Sequence, residues 1–298
     1  MFTKTSPSTG PGSPEVTGFY DEASGSIMYV LADPATKEAA LIDIVLDFDP
    51  AHGRTRTDSA QEVLDFVRDQ GLSVTWVLDT HPHADHMMAS AWLKEQTGAP
   101  NAIGEKVRDI AVLWREIYNL PDAFDADKNF DRLFAEGETF KVGEIDVRVM
   151  LSPGHTLGSI TYVAGDAAFV HDTFMHVDSG TSRADFPGGS SAELYDSLMA
   201  ILDLPEETRL FVGHDYPPVG ERTDPAWEAT VAEHKAHNKH LGGGTSKEAF
   251  RKIRDERDAT LDLPDRMLHA LQVNLRGGRL PEPESDGRAY FKIPANRF

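Results

Sequence analysis

The stretch Thr80–His86 (THPHADH) places three histidines and one aspartate within six positions, directly after a short apolar run that predicts a buried strand. Imidazole and carboxylate groups are ligands of borderline transition metals such as zinc and iron. His81 and His83 are two residues apart, so in an extended loop they can point the same way, while Asp85 and His86 reach a neighbouring position. The alternative to a metal site is a polar surface loop that is rich in histidine but binds no metal. Because rigid strand ends commonly mount metal ligands, the pattern favours a metal site.

Three later residues fit the same site because each follows a predicted strand. His155 lies in Ser152–Gly158 (SPGHTLG), Asp172 follows the apolar run Ala167–Val170, and His214 follows the strand at Arg209–Val212. Taken singly, His155 is as well explained as a turn residue, and Asp172 as a helix cap. Their recurrence at strand ends predicts that they converge on one edge of the fold.

The order of apolar runs and helical patterns predicts an α+β fold. Each half of the chain has strands first and a helix last, which indicates a two-sheet sandwich with helices outside. Residues 1–16 are rich in Ser, Pro, Thr and Gly and predict a flexible arm. We expect residues 17–220 to form the main domain. Residues 221–298 are expected to form a helical extension that packs on the same domain.

Composition excludes several classes of function. The 298 residues contain 29 Lys and Arg against 49 Asp and Glu, a net charge of −20, which argues against binding to nucleic acid or anionic membranes. With no cysteine, the chain has no disulfide framework, thiolate metal site or cysteine nucleophile. No signal-peptide pattern and no apolar stretch of 18 residues is visible, so we expect a cytoplasmic protein without a membrane span.

The motifs THPHADH, Pro153–His155 (PGH), Asp172 and Gly213–Asp215 (GHD) resemble the metallo-β-lactamase superfamily over about residues 40–215. The resemblance implies a four-layer αββα sandwich with the metal site at one edge. It implies one metal held by His81, His83 and His155, and a second held by Asp85, His86 and His214, with Asp172 between them. It also implies that Asp43 braces the histidine loop from behind.

Two narrower motifs are similar to persulfide dioxygenases, specifically the bacterial β-lactamase-like branch. They are Ser182–Gly188 (SRADFPG) and the ending VNLRGGRLPEP with Lys292–Asn296 (KIPAN). The resemblance implies oxidation of glutathione persulfide by O₂ to sulfite and glutathione. It implies one Fe(II) per chain on His81, His155 and Asp172, although zinc can load such a site on isolation, and it makes a homodimer a fair expectation. His83, Asp85, His86 and His214 would then form hydrogen bonds. The mitochondrial-type enzymes have a cysteine near the active site that this chain lacks.

Several residues near the motifs are candidate substrate contacts. Arg183 either holds a glutathione carboxylate or ties Asp185 to the loop, and the sequence favours the second role. Tyr195, Tyr216 and Arg222 are weaker candidates for glutathione contact, each more often a packing or surface residue.

The ligand set is also compatible with two functions other than a dioxygenase. A dinuclear thioester hydrolase resembling glyoxalase II would use all seven ligands to activate a bridging water. A metal-bearing sensor without turnover is the third interpretation. The SRADF loop and the VNLRGGRLP and KIPAN motifs favour the dioxygenase.

Overall fold

Two β-sheets lie face to face at the centre of the computed structural model, which describes residues 1–217 and 222–298. The first has seven strands in the order β1-β2-β3-β4-β7-β9-β10, and the second has six in the order β11 to β16; a three-stranded sheet β6-β5-β8 lies beside them. The strands are β1 Phe2–Ser6, β2 Glu15–Asp21, β3 Ser26–Ala32, β4 Glu38–Ile42, β5 Val45–Asp49, β6 Arg54–Arg56, β7 Ser73–Leu78, β8 Met87–Met88, β9 Asn101–Gly104, β10 Arg132–Phe134, β11 Thr139–Val142, β12 Ile145–Leu151, β13 Ile160–Ala164, β14 Ala167–His171, β15 Arg209–Val212 and β16 Glu228–Thr230.

Helices cover the outer faces of the two sheets. They are α1 Asp58–Asp69, α2 Ser90–Thr97, α3 Val107–Tyr118, α4 Ala126–Asn129, α5 Ser191–Leu202, α6 Val231–His237, α7 Lys247–Asp258 and α8 Met267–Asn274. Tyr29 of the first sheet packs against Phe169 and Phe211 of the second, so a single apolar core fills the space between the sheets. The two inner sheets with outer helices confirm the predicted α+β sandwich and its C-terminal helices.

Parallel strand pairs explain why the predicted ligands meet. In the first sheet β4 runs parallel to β7, and in the second β14 runs parallel to β15. The carboxyl ends of parallel neighbours lie at the same edge of a sheet, where binding residues are commonly mounted. Asp43 and the histidine loop follow β4 and β7, while Asp172 and His214 follow β14 and β15.

The ends of the main domain differ from the prediction in two places. Residues 1–16 are not simply a flexible arm, because Phe2–Ser6 forms β1 and pairs antiparallel with β2. The buried Arg209 side chain fixes the rest of this segment through hydrogen bonds to Ser6, Ser13 and the carbonyl of Pro14.

The C-terminal extension is also not purely helical. Strand β16 pairs with β15 and joins the second sheet before α6 begins. The predicted domain boundary between residues 220 and 221 lies outside the described residues. Over the two described ranges, none of the helices combines the length and apolar character needed to span a bilayer.

Candidate metal centre

His81, His155 and Asp172 form a compact group of three potential metal ligands. One ligand atom of each lies within 4.8 Å of the other two. Asp172 Oδ2 is 3.4 Å from His155 Nε2 and 3.7 Å from His81 Nε2. All three side chains are buried, and His81 Nε2 and Asp172 Oδ1 form no hydrogen bond with the described part of the chain. Unpartnered buried polar atoms of this kind fit a metal site, and two imidazoles with one carboxylate suit a divalent transition metal.

A glycine turn positions His155. Gly154 has a φ of +133°, and a Cβ at this position would lie 2.2 Å from the backbone of Leu194 at the start of α5. Glycine therefore allows both the turn and its close contact with the helix. The Nδ1–H group of His155 donates to the carbonyl oxygen of Arg183 at 2.8 Å. This hydrogen bond leaves the Nε2 lone pair of His155 free to bind a metal.

A strand irregularity and a second glycine position Asp172. The pairing of β14 with β15 shifts register between Phe169 and His171, and His171 has a φ of 38°. Such a bulge redirects the side chains that follow it. A Cβ on Gly213 would lie 2.5 Å from Asp172 Oδ1. The glycine of the GHD motif therefore makes room for the carboxylate.

A second group of potential ligands lies beside the first and contains His83, Asp85, His86 and His214. His214 Nε2 lies 3.4 Å from both Asp85 Oδ2 and Asp172 Oδ2, so the two groups are adjacent. Superfamily resemblance implied that His83 shares a metal with His81 and His155. His83 lies between the two groups: its ligand atom is within 4.8 Å of those of Asp85, His86 and His214, and its ring centroid is 4.1 Å from that of His81.

Asp43 braces the histidine loop through both carboxylate oxygens. Its Oδ1 accepts a hydrogen bond from the Thr80 backbone N–H at 2.8 Å and lies 3.0 Å from His83 Nε2. Its Oδ2 accepts from the Thr80 hydroxyl at 2.8 Å. Asp43 has a φ of 53°, in the left-handed region that aspartate tolerates better than most residues. The contacts fit the bracing role inferred from the sequence.

The charges within the cluster shift its pKa values. Burial lowers the pKa of His214, but Asp172 and Asp85 outweigh it and raise that pKa to about 10. Burial and the neighbouring His83 hold the pKa of His81 well below its usual range. Burial raises the pKa of Asp85, but the charges of His214 and His86 and their hydrogen bonds together outweigh burial and keep that pKa well below its usual range. At neutral pH, His81 is therefore a neutral imidazole and Asp85 a carboxylate, which are the forms that bind metals.

Asn274 is a site residue whose role the sequence did not reveal. Its Nδ2 donates to the carbonyl oxygens of His83 and His86 at 2.8 and 2.9 Å, and its Oδ1 accepts from the Met88 N–H at 2.8 Å. The side chain is fully buried. A Cβ on Gly278 would lie 2.7 Å from the Met88 carbonyl oxygen, so the glycine lets the C-terminal segment approach. The VNLRGG motif therefore holds the histidine loop in place through Asn274.

Ser26 is a second residue that sequence reasoning missed. Its hydroxyl lies 2.9 Å from Asp85 Oδ2 and 3.0 Å from His86 Nδ1. It lies at the start of β3 and forms an isolated backbone bridge with His214. A lone serine in an apolar strand carries no sequence signal for such a role.

Arg183 is tied to its own loop. Its Nε and Nη2 groups donate to the two carboxylate oxygens of Asp185 at 2.6 and 2.7 Å, and Nη1 donates to the Asp262 carbonyl at 2.7 Å. The guanidinium also lies over the Phe186 ring, 4.7 Å from its centroid. This is the arrangement of the second predicted role, in which Arg183 fixes the loop whose carbonyl orients His155.

The three weaker candidates for glutathione contact have different positions. Tyr216 lines the cavity described below and stacks on His214, with the ring planes 7° apart. Tyr195 instead donates to the Thr245 carbonyl and packs against Phe250, so its side chain belongs to the packing between α5 and α7. The expectation that Tyr195 contacts glutathione does not fit this position.

Arg222 is also placed differently from the expectation. Its two Nη groups donate to both oxygens of the fully buried Asp215 at 2.5 Å, and its Nε donates to Asp178 at 2.6 Å. One Nη also donates to the Asp224 carbonyl. Because every guanidinium nitrogen is engaged, Arg222 links the GHD loop to the segment after Asp172 and has no donor to offer a substrate.

A cavity of about 630 Å³ opens onto the two ligand groups. Asp85, His155, Asp172 and His214 line it on the side of the strand ends, and Ile253 and Arg257 line it on the side of α7. Its volume is within the range of small-molecule sites. A ligand in this cavity can therefore reach the candidate metal site directly.

Comparison with known proteins places these features in a wider group. The model of the metallo-β-lactamase superfamily matches residues 27–214. A "Beta-lactamase hydrolase-like protein" from Xylella fastidiosa is 56% identical over 284 residues, which are 95% of this chain and 65% of that protein. "Glyoxylase B2" from Dictyostelium discoideum is 39% identical over 285 residues, 95% of this chain and 96% of that protein.

Two further similarities carry the name ETHE1. "Persulfide dioxygenase ETHE1, mitochondrial" from Bos taurus is 27% identical over 274 residues and 91% of each chain. The crystal structure of ETHE1 from Myxococcus xanthus aligns with a TM-score of 0.70 and 31% identity, covering 88% of this chain and 98% of the other. The chain spans less than two thirds of the length of the Xylella fastidiosa relative.

Proposed function

The chain belongs to the metallo-β-lactamase superfamily, and we propose that within it this protein is a non-haem Fe(II) persulfide dioxygenase that oxidises glutathione persulfide with O₂ to sulfite and glutathione. The observation that carries the proposal is the compact, buried group of His81, His155 and Asp172. Two histidines and one carboxylate leave coordination positions open, as non-haem iron oxygenases require. The proposed cofactor is one Fe(II) per chain.

The similarities to proteins named ETHE1 support the proposal, as do the SRADFPG and VNLRGG motifs. Residues of both motifs form hydrogen bonds with a proposed iron ligand or with the histidine loop. Arg183 of SRADFPG offers its carbonyl to His155, and Asn274 of VNLRGG holds the carbonyls of His83 and His86. The residues on which the resemblance rests therefore have a physical role at the site.

The chain's own residues would orient the reactants and control protons. Bound Fe(II) would supply the redox chemistry that couples O₂ to the persulfide. The buried His214 lies 3.4 Å from both Asp85 and Asp172 beside the cavity, where its imidazole would hold a proton close to the substrate. Ala84, Met175 and Phe186 contribute apolar surface to the cavity lining, against which the organic part of the substrate would pack. Overall, each persulfide consumes one O₂ and one water, its terminal sulfur leaves as sulfite, and the sulfur bound to carbon becomes the thiol of glutathione.

A dinuclear thioester hydrolase is the second candidate. The intact group of His83, Asp85, His86 and His214 favours it because it offers ligands for a second metal. The relative named "Glyoxylase B2" supports the same alternative. Two metals would activate a bridging water for attack on a thioester carbonyl.

The two functions are separated by measuring both reactions on the same preparation. Protein loaded anaerobically with Fe(II) is assayed for O₂ uptake and sulfite formation with glutathione persulfide. A second portion loaded with zinc is assayed for cleavage of a glutathione thioester. The proposal expects persulfide-dependent O₂ uptake with equimolar sulfite and negligible thioester cleavage. Rapid thioester cleavage without O₂ uptake would replace the dioxygenase with the hydrolase.

A further inference from the structure

A four-residue segment, residues 181–184, contacts two of the three proposed iron ligands. The Ser182 hydroxyl donates a hydrogen bond to the backbone carbonyl oxygen of Asp172, and the Arg183 carbonyl oxygen accepts from the Nδ1–H group of His155 at 2.8 Å. The first bond fixes the backbone that carries the Asp172 carboxylate, and the second sets the orientation of the His155 ring. A shift of this segment would therefore move both ligands.

An ion pair on α7 holds both ends of the same segment. Arg254 Nη1 donates to the carbonyl oxygen of Thr181 at 2.9 Å, and Asp258 Oδ2 accepts from the backbone N–H of Ala184 at 2.8 Å. Nε and Nη2 of Arg254 lie 2.9 and 2.7 Å from Asp258 Oδ1, so each charged side chain fixes the other. Each guanidinium nitrogen and both carboxylate oxygens therefore have a partner, in the planar arrangement that arginine provides.

Packing alone does not explain why this pair is buried. The buried side chains of α7 are Phe250, Arg254 and Asp258, which are spaced four residues apart on one face of the helix. Both charged side chains are 4% exposed. Taking charges out of water is costly, and apolar residues of similar volume often stabilise a protein at least as well as a buried ion pair. What an apolar pair could not supply is the two hydrogen bonds to residues 181–184.

We propose that Arg254 and Asp258 are positioning residues for the metal centre, which hold residues 181–184 where this segment orients His155 and Asp172. The inference rests on the proposed function in one respect, because it takes these two residues as metal ligands. Hydrogen-bond partners of metal ligands contribute to metal affinity by fixing the ligand geometry. Because Ile253 and Arg257 of the same helix line the cavity, α7 both forms a cavity wall and supports the metal site.

The double variant Arg254→Met/Asp258→Leu tests the proposal because it removes both charges together and leaves no lone buried charge. Urea unfolding of the metal-free protein measures its stability, and Co(II) titration measures metal affinity and records the visible spectrum, which depends on ligand geometry. The variant should be about as stable as the wild type, bind Co(II) about 10-fold to 100-fold more weakly and show shifted absorption bands. Wild-type affinity with a wild-type spectrum would overturn the positioning role.

A control and a milder variant complete the series. Lys252→Gln/Glu256→Gln removes another ion pair of α7 with the same four-residue spacing, whose side chains are 75% and 70% exposed. This control should keep the affinity and the spectrum of the wild type, and a loss equal to that of the buried pair would refute the proposal. Arg254→Lys keeps the charge opposite Asp258, but its single ammonium cannot reproduce the planar fork. It should lose Co(II) affinity by several-fold, and if the double variant does not fold, an unchanged affinity in Arg254→Lys refutes the positioning role.

His155→Ala in the same titration separates this inference from the proposed function. If His155→Ala loses Co(II) and the variants of the ion pair keep it, the positioning role fails while the metal site stands. If His155→Ala binds Co(II) as the wild type does, the proposed metal site fails and the inference fails with it. If the ion-pair variants lose affinity as expected but the wild type loaded with Fe(II) consumes no O₂, the positioning role is supported and the dioxygenase proposal fails.

Discussion

Removing the Asn274 side chain should loosen the histidine loop and weaken metal binding together. Asn274→Ala breaks three hydrogen bonds to the loop, two to the carbonyls of His83 and His86 and one from the Met88 N–H. The residue is fully buried, so water does not readily replace these partners. The loop carries His81, and its displacement would move a proposed iron ligand.

The expected loss of stability in Asn274→Ala follows from the number of hydrogen bonds that the substitution removes. At about 1 kcal/mol of net stability per hydrogen bond, three bonds give about 3 kcal/mol. Loss of residues that orient metal ligands typically lowers metal affinity by about 10-fold to 100-fold. Asn274→Asp should be at least as harmful, because it keeps an acceptor for the Met88 N–H but faces two carbonyl oxygens with a carboxylate.

Urea unfolding and Fe(II) titration measure the two effects. Gln272→Ala is a matched control on the same helix, since Gln272 bonds to Leu268 and Lys292 and not to the loop. The control should lower the free energy of unfolding and leave iron affinity unchanged. The reasoning fails if Asn274→Ala binds iron as the wild type does, or if Gln272→Ala loses as much iron affinity.

Three further predictions concern the ligands, the loop and pH. His81→Ala should abolish iron binding and activity, whereas His214→Ala should keep most of its iron. Elemental analysis measures the iron content of both variants, and equal losses of iron would contradict a mononuclear site. Arg183→Lys should lower iron affinity about 10-fold in the same titration, because one ammonium cannot make both bonds to Asp185; unchanged affinity would refute the positioning role. The buried His234 has its pKa lowered by burial to about 3, so the stability from its neutral form is full above pH 6.5 and falls as the pH drops towards 3. Because of this residue, the free energy of unfolding in urea should be about 2 kcal/mol lower at pH 4.5 than at pH 6.5. His234→Gln should remove this loss. An identical pH dependence in the variant and the wild type would count against a role for His234.

The strands that hold the ligands were predictable because they are short, apolar and bounded by turns. The strand Arg209–Val212 has the predicted bounds, and the strand Ala167–His171 extends the predicted run Ala167–Val170 by one residue. The edge strand Phe2–Ser6 was missed because its exposed residues TKT carry no apolar pattern. Its side-chain contacts are with distant residues, such as that of Phe2 with Trp227 and that of Ser6 with Arg209. The three-residue strand Glu228–Thr230 is too short to leave a pattern.

The ligands themselves were predictable because their donor types recur at strand ends. The residues that hold the ligands were harder to find, since their roles depend on distant parts of the chain. Asn274 reaches the histidine loop across 188 and 191 positions, and Ser26 reaches His86 across 60. Arg222 looked available for substrate, but its carboxylate partners Asp178 and Asp215 became apparent only in three dimensions.

The number and position of metal ions in fully active protein test the central claim most directly. Anomalous scattering from crystals of material with measured O₂ uptake would locate each ion and identify its element. The account predicts one iron per chain bound by His81, His155 and Asp172. Two zinc ions, the second held by His86 and His214, in protein that cleaves thioesters and consumes no O₂ would contradict it.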